Sequence, residues 1–315
     1  MKQLIAFLLY GLIFTLPLSM QAASLNGFNL SNSSVPTEEI MSGGPGKDGI
    51  PAILRPHFVS AKQARFMSSK DPILGIEING KYRAYPIKIL NWHEVVNDQI
   101  DEKRFIVSYC PLCGSGMAFS ATLNGKHLTF GVSGLLYNSD VLLYDHQTDS
   151  LWSQIKGMAV SGQSVGKHLT QYPLTLTRWG KWQQLHPGTD VLSTNTGYQR
   201  DYQRDPYAGY SRSPRLYFPV ANQAPSIYGS KETVMGYKGK NGVIAFPFAE
   251  LKKQGKAKFT YRFKEQMLTI HWDVHNLSAH ITDSQGQNLP STLLYWFAWY
   301  AFYPETEVFN TNLDK

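Results

Sequence analysis

The sequence predicts a β-rich α+β protein of two related lobes, built from short strands and hairpins with few short helices, and three observations carry that expectation. Helical periodicity is sparse, while short runs of β-branched and aromatic residues recur between Gly, Asn and Pro. Asn79-Gly80 and Asn124-Gly125 each sit between two such runs, and Asn-Gly favours the type I′ turn of a hairpin. The chain also matches itself. Residues 75–86 (GIEINGKYRAYP), with Leu90, align without a gap with residues 236–247 (GYKGKNGVIAFP), with Leu251. Residues 179–191 (WGKWQQLHPGTDV) align in the same way with residues 296–308 (WFAWYAFYPETEV). The same motifs in the same order point to an internal duplication.

Taken in order, residues 1–23 carry one Lys, an apolar run broken by Pro17, and small residues at Ala22 and Ala23, which is the pattern of a secretory signal. The run is short of the roughly 20 residues that span a bilayer, so no stable membrane span is expected after cleavage. The expected location is the periplasm. Residues 24–70 form a lead-in segment, loose over 24–47 where Ser, Asn and Gly are frequent. The first lobe covers 71–195. In it a hairpin spans 76–85, Pro86 opens a short helix with Ile87, Leu90 and Val95 on its apolar face, and His93 and Asn97 fall one turn apart. A strand over 105–109 delivers Cys110 and Cys113 at its end, and 118–132 forms a second hairpin. A further strand fits 141–144. A Tyr-, Pro- and Arg-rich connector fills 196–232, and a second, scaffold-like lobe covers 233–315, with strands over 259–263 and 267–274.

The balance of 30 Lys and Arg against 23 Asp and Glu is a mild, dispersed basic excess with no basic block, so nucleic acid is not an expected partner. Partners of the expected kind are a small molecule or a periplasmic protein. No phosphate-cradling loop, nucleophile elbow or two-carboxylate constellation stands out.

Chemistry concentrates at Cys110-Pro-Leu-Cys113, the only two cysteines of 315 residues. Three readings follow. In a redox pair the first thiol caps a helix whose field lowers its pKa, but Gly114-Ser-Gly116 and a strand-like run follow here. In a non-catalytic binding module, a static Cys110–Cys113 disulfide would close a very small loop and stabilise little. The leading reading is a metal knuckle in which the tight turn aims both sulfurs at one copper or zinc ion, copper slightly ahead. With no second cysteine pair, the other ligands are expected from His93, on the element before the cysteine strand, and Met117 as a weak axial donor. Glu94, Asn97, Tyr109, Asp145 and Trp152 are expected around the site or its cleft. His127 and His146 are weaker candidates. His271 and His275 are too far apart along a strand to share an ion.

The motifs Asp48-Gly-Ile-Pro51, Trp92-His-Glu94, Tyr109-Cys-Pro-Leu-Cys113, Phe130-Gly-Val-Ser-Gly134, Ser150-Leu-Trp-Ser-Gln154 and residues 202–207 (YQRDPY) together resemble domain-of-unknown-function family 3179, a family of exported proteins. The resemblance covers most of the chain after residue 47. It implies no reaction. It implies Arg at the position of His146, which argues against His146 as a required ligand, and it places the Trp-His-Glu and Cys-Pro-x-Cys motifs together.

Overall fold

A computed structural model describes residues 24–311; the expected signal segment, 1–23, lies outside the described residues. The described residues form five sheets of four or five strands, arranged as the blades of a β-propeller, with four short α-helices. Two hairpins of two-residue strands stand outside the five sheets.

Sheet 1 is built on the hairpin Pro72–Ile78 and Lys81–Pro86, with Asn79 and Gly80 both at positive φ as a type I′ turn requires. Thr175–Arg178 pairs on one side, Asp190–Leu192 joins in parallel on the other, and Phe58–Ser60 forms the edge. Sheet 2 holds Val95–Ile100, Lys103–Cys110 and Ser115–Ser120, with Gln171–Tyr172. Sheet 3 is the meander Phe130–Tyr137, Asp140–Asp145, Leu151–Ser153 and Met158–Ser161. Sheet 4 holds Thr233–Gly239, Gly242–Pro247, Ser291–Tyr295 and a parallel Glu307–Val308. Sheet 5 is the meander Lys258–Phe263, Gln266–Asp273, Ser278–Thr282 and Asn288–Leu289.

The expectation of two lobes from a duplication is overturned. The largest buried cluster runs from Phe28 through Cys113, Trp152 and Tyr210 to Trp299 and Tyr303, so one core joins both halves of the chain. The self-matching motifs map onto single sheets, 1 and 4, and the unmatched stretches between them fold into sheets of their own. What recurs is a way of packing. A Cβ at Gly75 would lie 2.5 Å from the Trp182 ring, and one at Gly236 would lie 2.3 Å from Trp299. Each indole therefore lies flat on a bare glycine of a central strand. Local self-similarity reports that shared contact and carries no information on the number of sheets around it.

The helices are Ile87–His93 (α1), Trp179–Leu185 (α2), Phe248–Gln254 (α3) and Trp296–Phe302 (α4). Proline precedes α1 and α3, where its fixed φ suits helix entry. α1 ends sooner than expected: Glu94 takes a left-handed conformation and the chain turns at once into Val95–Ile100. His93 and Asn97 thus lie on different elements. The hairpin expected over 118–132 is also altered. Asn124-Gly125 does turn, but only between two-residue strands, and the flanking strands belong to sheets 2 and 3.

The segment before residue 48 is packed rather than loose. Phe28, Leu30, Val35 and Ile40 are buried, and Ile40–Ser42 pairs with the edge of sheet 3. Few of these residues are apolar, but they sit where a sheet edge and a core surface both need covering. Among the described residues no helix is long and apolar enough to cross a membrane, which says nothing of strand-built membrane proteins.

Candidate functional site

The two cysteines close the junction between Lys103–Cys110 and Ser115–Ser120, where Cys110 faces Ser115 across the ladder. The junction is a turn, with no helix after Cys113. Gly114 has φ +63°, and a Cβ there would lie 2.9 Å from the Tyr295 ring, so glycine is required on both conformational and steric grounds. The turn is anchored from sheet 4 by the Tyr295 N–H, which donates to the Cys113 carbonyl at 2.8 Å.

The third component arrives from sheet 3. Asn138 and Ser139 both have positive φ and form the two-residue turn between Phe130–Tyr137 and Asp140–Asp145. Such a turn usually points into solvent. This one is buried, and its position is held by Asn138, whose side chain donates to the Ala301 carbonyl at 3.4 Å and accepts from the Ala221 N–H at 2.8 Å. The Cys113 thiol donates to the Ser139 carbonyl at 3.3 Å. One oxygen of Asp140 then lies with Cys110 Sγ and Cys113 Sγ so that all three donor atoms fall within 4.8 Å of one another. Cys110 is 1% exposed, and Cys113 and Asp140 are fully buried.

Burial dominates the electrostatics. It pushes the Cys113 thiol well up and the Cys110 thiol up, the opposite of an activated nucleophile. It raises Asp140 to about 7, against a bond from the Ile155 N–H, which donates to Oδ2 at 3.1 Å. The other oxygen, Oδ1, has no partner. Glu94 is raised to about 8, again by burial, and its carboxyl accepts the Tyr207 hydroxyl at 3.4 Å. Burial likewise pushes up the Tyr109 phenol. The site therefore disfavours the ionised forms of these groups, and it leaves one oxygen of Asp140 without a partner. Two buried thiols and a carboxylate at this spacing form a donor set that could hold a thiophilic ion.

The other residues expected here fall elsewhere. His93 does not face the cysteines: its Nδ1 lies 2.7 Å from the Pro51 carbonyl and its Nε2 lies 2.7 Å from the Tyr202 hydroxyl, so both nitrogens are taken. Met117 is buried in the shared core and lines a small cleft with Leu294, Trp299 and Tyr303. Asn97 is a clasp between sheets, donating to the Phe130 carbonyl and accepting from the Phe130 N–H, each at 2.8 Å. Asp145 accepts the Trp152 indole N–H at 2.8 Å and the Thr148 N–H at 2.7 Å. His127 is exposed, and His146 stacks on Tyr144. His271 pairs across the ladder with His280 rather than along the strand with His275, and the two rings stack at 4.3 Å.

Sequence reasoning did not single out Asp140, which the structure sets beside the two thiols. A two-residue Asn-Ser turn between apolar runs was the available signal for a carboxylate at a strand start. Gln154 was seen only as part of a motif. It accepts the Ser115 hydroxyl at 2.6 Å and donates to the Ser108 hydroxyl at 3.0 Å, locking sheet 3 to both strands that carry the cysteine turn.

No curated protein and no solved structure matches the chain. The family model described as "Protein of unknown function (DUF3179)" matches residues 47–288, which include the cysteine turn, the Asp140 hairpin and most of the connector-side residues around them, and the chain belongs to that family.

Proposed function

We propose that the protein binds one thiophilic metal ion, zinc ahead of copper, between the sulfurs of Cys110 and Cys113 and the carboxylate of Asp140. The observation that carries this reading is the convergence of three buried donor atoms within 4.8 Å of one another, one on a residue whose second oxygen lacks a partner. Burial alone disfavours this cluster in its ionised form. A divalent ion would supply the missing counter-charge, displace the thiol protons and turn the raised pKa values into ligand binding. Thiolates suit both zinc and copper(I); the carboxylate shifts the balance toward zinc, a borderline ion. On the export signal read in residues 1–23, this centre would work outside the cytoplasm.

Both sulfurs are shut away from solvent, and a closed site suits holding a metal better than turning over a substrate. A thiol–disulfide role has the closeness of the two sulfurs in its favour. Against it stand the raised thiol pKa values and the lack of a helix N-terminus behind either cysteine.

Elemental analysis of the freshly purified protein should find one zinc per chain, and Cys110→Ser with Cys113→Ser should remove it. Native and denaturing intact-mass measurement with and without reductant separates a metallated dithiol from a disulfide. Protein that retains neither metal, or a double variant with unchanged metal uptake, overturns the proposal.

A further inference from the structure

Cys110, Cys113 and Asp140 are shut away from solvent, so an ion that binds there needs a way in. A cleft of about 140 Å³ reaches the back of this cluster. It is lined from sheet 2 by Gln171, from sheet 4 by Thr292, and from the turn that follows Leu151–Ser153 in sheet 3 by Ile155. Its lining runs from the exposed His168 and Lys238 to the buried Met117, Ile155 and Tyr303.

Two observations tie the buried end of the cleft to the cluster. Met117 stands two residues beyond Ser115, which faces Cys110 across the ladder, so Cys110, Ser115 and Met117 share one face of sheet 2. The step along that face is about 7 Å. The second observation is Ile155, which lines the cleft and also donates its N–H to Asp140 Oδ2 at 3.1 Å. The Ile155 carbonyl accepts the Tyr303 hydroxyl, and Tyr303 lines the cleft as well. The backbone at Ile155 is therefore the wall between cleft and carboxylate. Its bond to Tyr303 is 3.3 Å, long for a hydroxyl donor. The cysteine turn is held by shorter bonds, from the Tyr295 N–H at 2.8 Å and through Ser115 to Gln154 at 2.6 Å. The wall at Ile155 is the side that gives way most easily.

We infer that this cleft is the port through which the ion reaches and leaves Cys110, Cys113 and Asp140, with the Tyr303–Ile155 hydrogen bond as its inner latch. The inference rests on the metal reading above and goes beyond it by naming the route. Gln171 donates to the Thr292 hydroxyl at 3.2 Å, spanning the cleft from sheet 2 to sheet 4, so bulk added at Gln171 closes it. Lys156 and Lys238 line the cleft and no carboxylate among the lining residues offsets them, so their charge slows a bare dication until salt screens it.

Rates separate a port from a ligand, because Kd is the ratio of release to uptake and a barrier on the route scales both alike. Zinc uptake by the metal-free protein is followed by stopped flow, release by excess chelator, and Kd by competition titration. Gln171→Trp should slow uptake and release by a common factor of about ten or more, the effect of about 1.4 kcal/mol of added barrier, and leave Kd unchanged. Tyr303→Phe keeps the ring and drops the latch, and should speed both steps at constant Kd. Lys238→Glu, on an exposed side chain, should raise the uptake rate, as added salt should for the wild type. Wild-type rates in Gln171→Trp and Tyr303→Phe overturn the port and leave the metal reading standing. A Kd that moves as far as the rates also overturns it, since the residue then acts on the bound state. A wild type that takes up no zinc overturns both. If Gln171→Trp fails to fold, as circular dichroism will reveal, Tyr303→Phe and Lys238→Glu decide: wild-type rates in both overturn the port.

Discussion

The strand Asp140–Asp145 begins and ends on a fully buried aspartate, and the two are solvated by the protein in opposite ways. Asp145 is saturated. Its oxygens accept the Trp152 indole N–H, the Thr148 N–H and the Thr148 hydroxyl, all at 2.7–2.9 Å. Asp140 accepts the Ile155 N–H on one oxygen and leaves the other bare beside two thiols. A buried carboxylate that is fully bonded belongs to the scaffold. One left short of bonds among other donors marks a place where something else can bind.

The largest expected effect breaks the comparison at its saturated end. Asp145→Ala strands the Trp152 and Thr148 donors in the core and should lower unfolding free energy by about 3 kcal/mol or more, read by denaturant melts, without altering metal stoichiometry in whatever remains folded. Asp140→Asn should do the reverse. It removes a carboxyl that burial disfavours, so the stability of the metal-free protein should hold or rise, while metal affinity falls by more than about 10–100-fold in a competition titration. If both variants lose stability alike, the distinction between the two carboxylates is wrong.

The smallest effect is a pH dependence of the metal-free protein. Glu94 and Asp140 have folded-state values of about 8 and about 7, raised by burial from ordinary carboxylate values of 4.5 and 3.8. Between those limits the folded state keeps protons that the unfolded state releases, so the stabilising contribution is full below about pH 4 and is lost as pH rises toward 8. Denaturant midpoints should fall from pH 5 to pH 8, and Glu94→Gln should flatten part of that slope. A midpoint that climbs over this range contradicts the burial of these acids. Added zinc should abolish the part due to Asp140.

Much of the local structure was legible in the residues. Asn79-Gly80 turns as its φ preferences require, Pro86 opens α1, and the strand expected over 105–109 does deliver the cysteines. Expectation failed where one local pattern served a non-local end. His93 looked like a ligand because it stands shortly before the cysteines, yet the left-handed turn at Glu94 swings the chain and its ring is spent on Pro51 and Tyr202. The repeated glycine and tryptophan motifs looked like two lobes because packing of an indole on a bare strand recurs in sheets 1 and 4.

By itself the sequence determined the family, the hairpins and the turn that presents Cys110 and Cys113 together, since each depends on φ preferences and spacing within a few residues. Only the tertiary structure decided that the described residues form five large sheets, that Asp140 rather than His93 stands beside the thiols, and that the connector lays Tyr210 into the same core. Those contacts join residues from sheet 2, sheet 3 and the connector. They depend on how the sheets are placed about a shared core, which no local periodicity encodes.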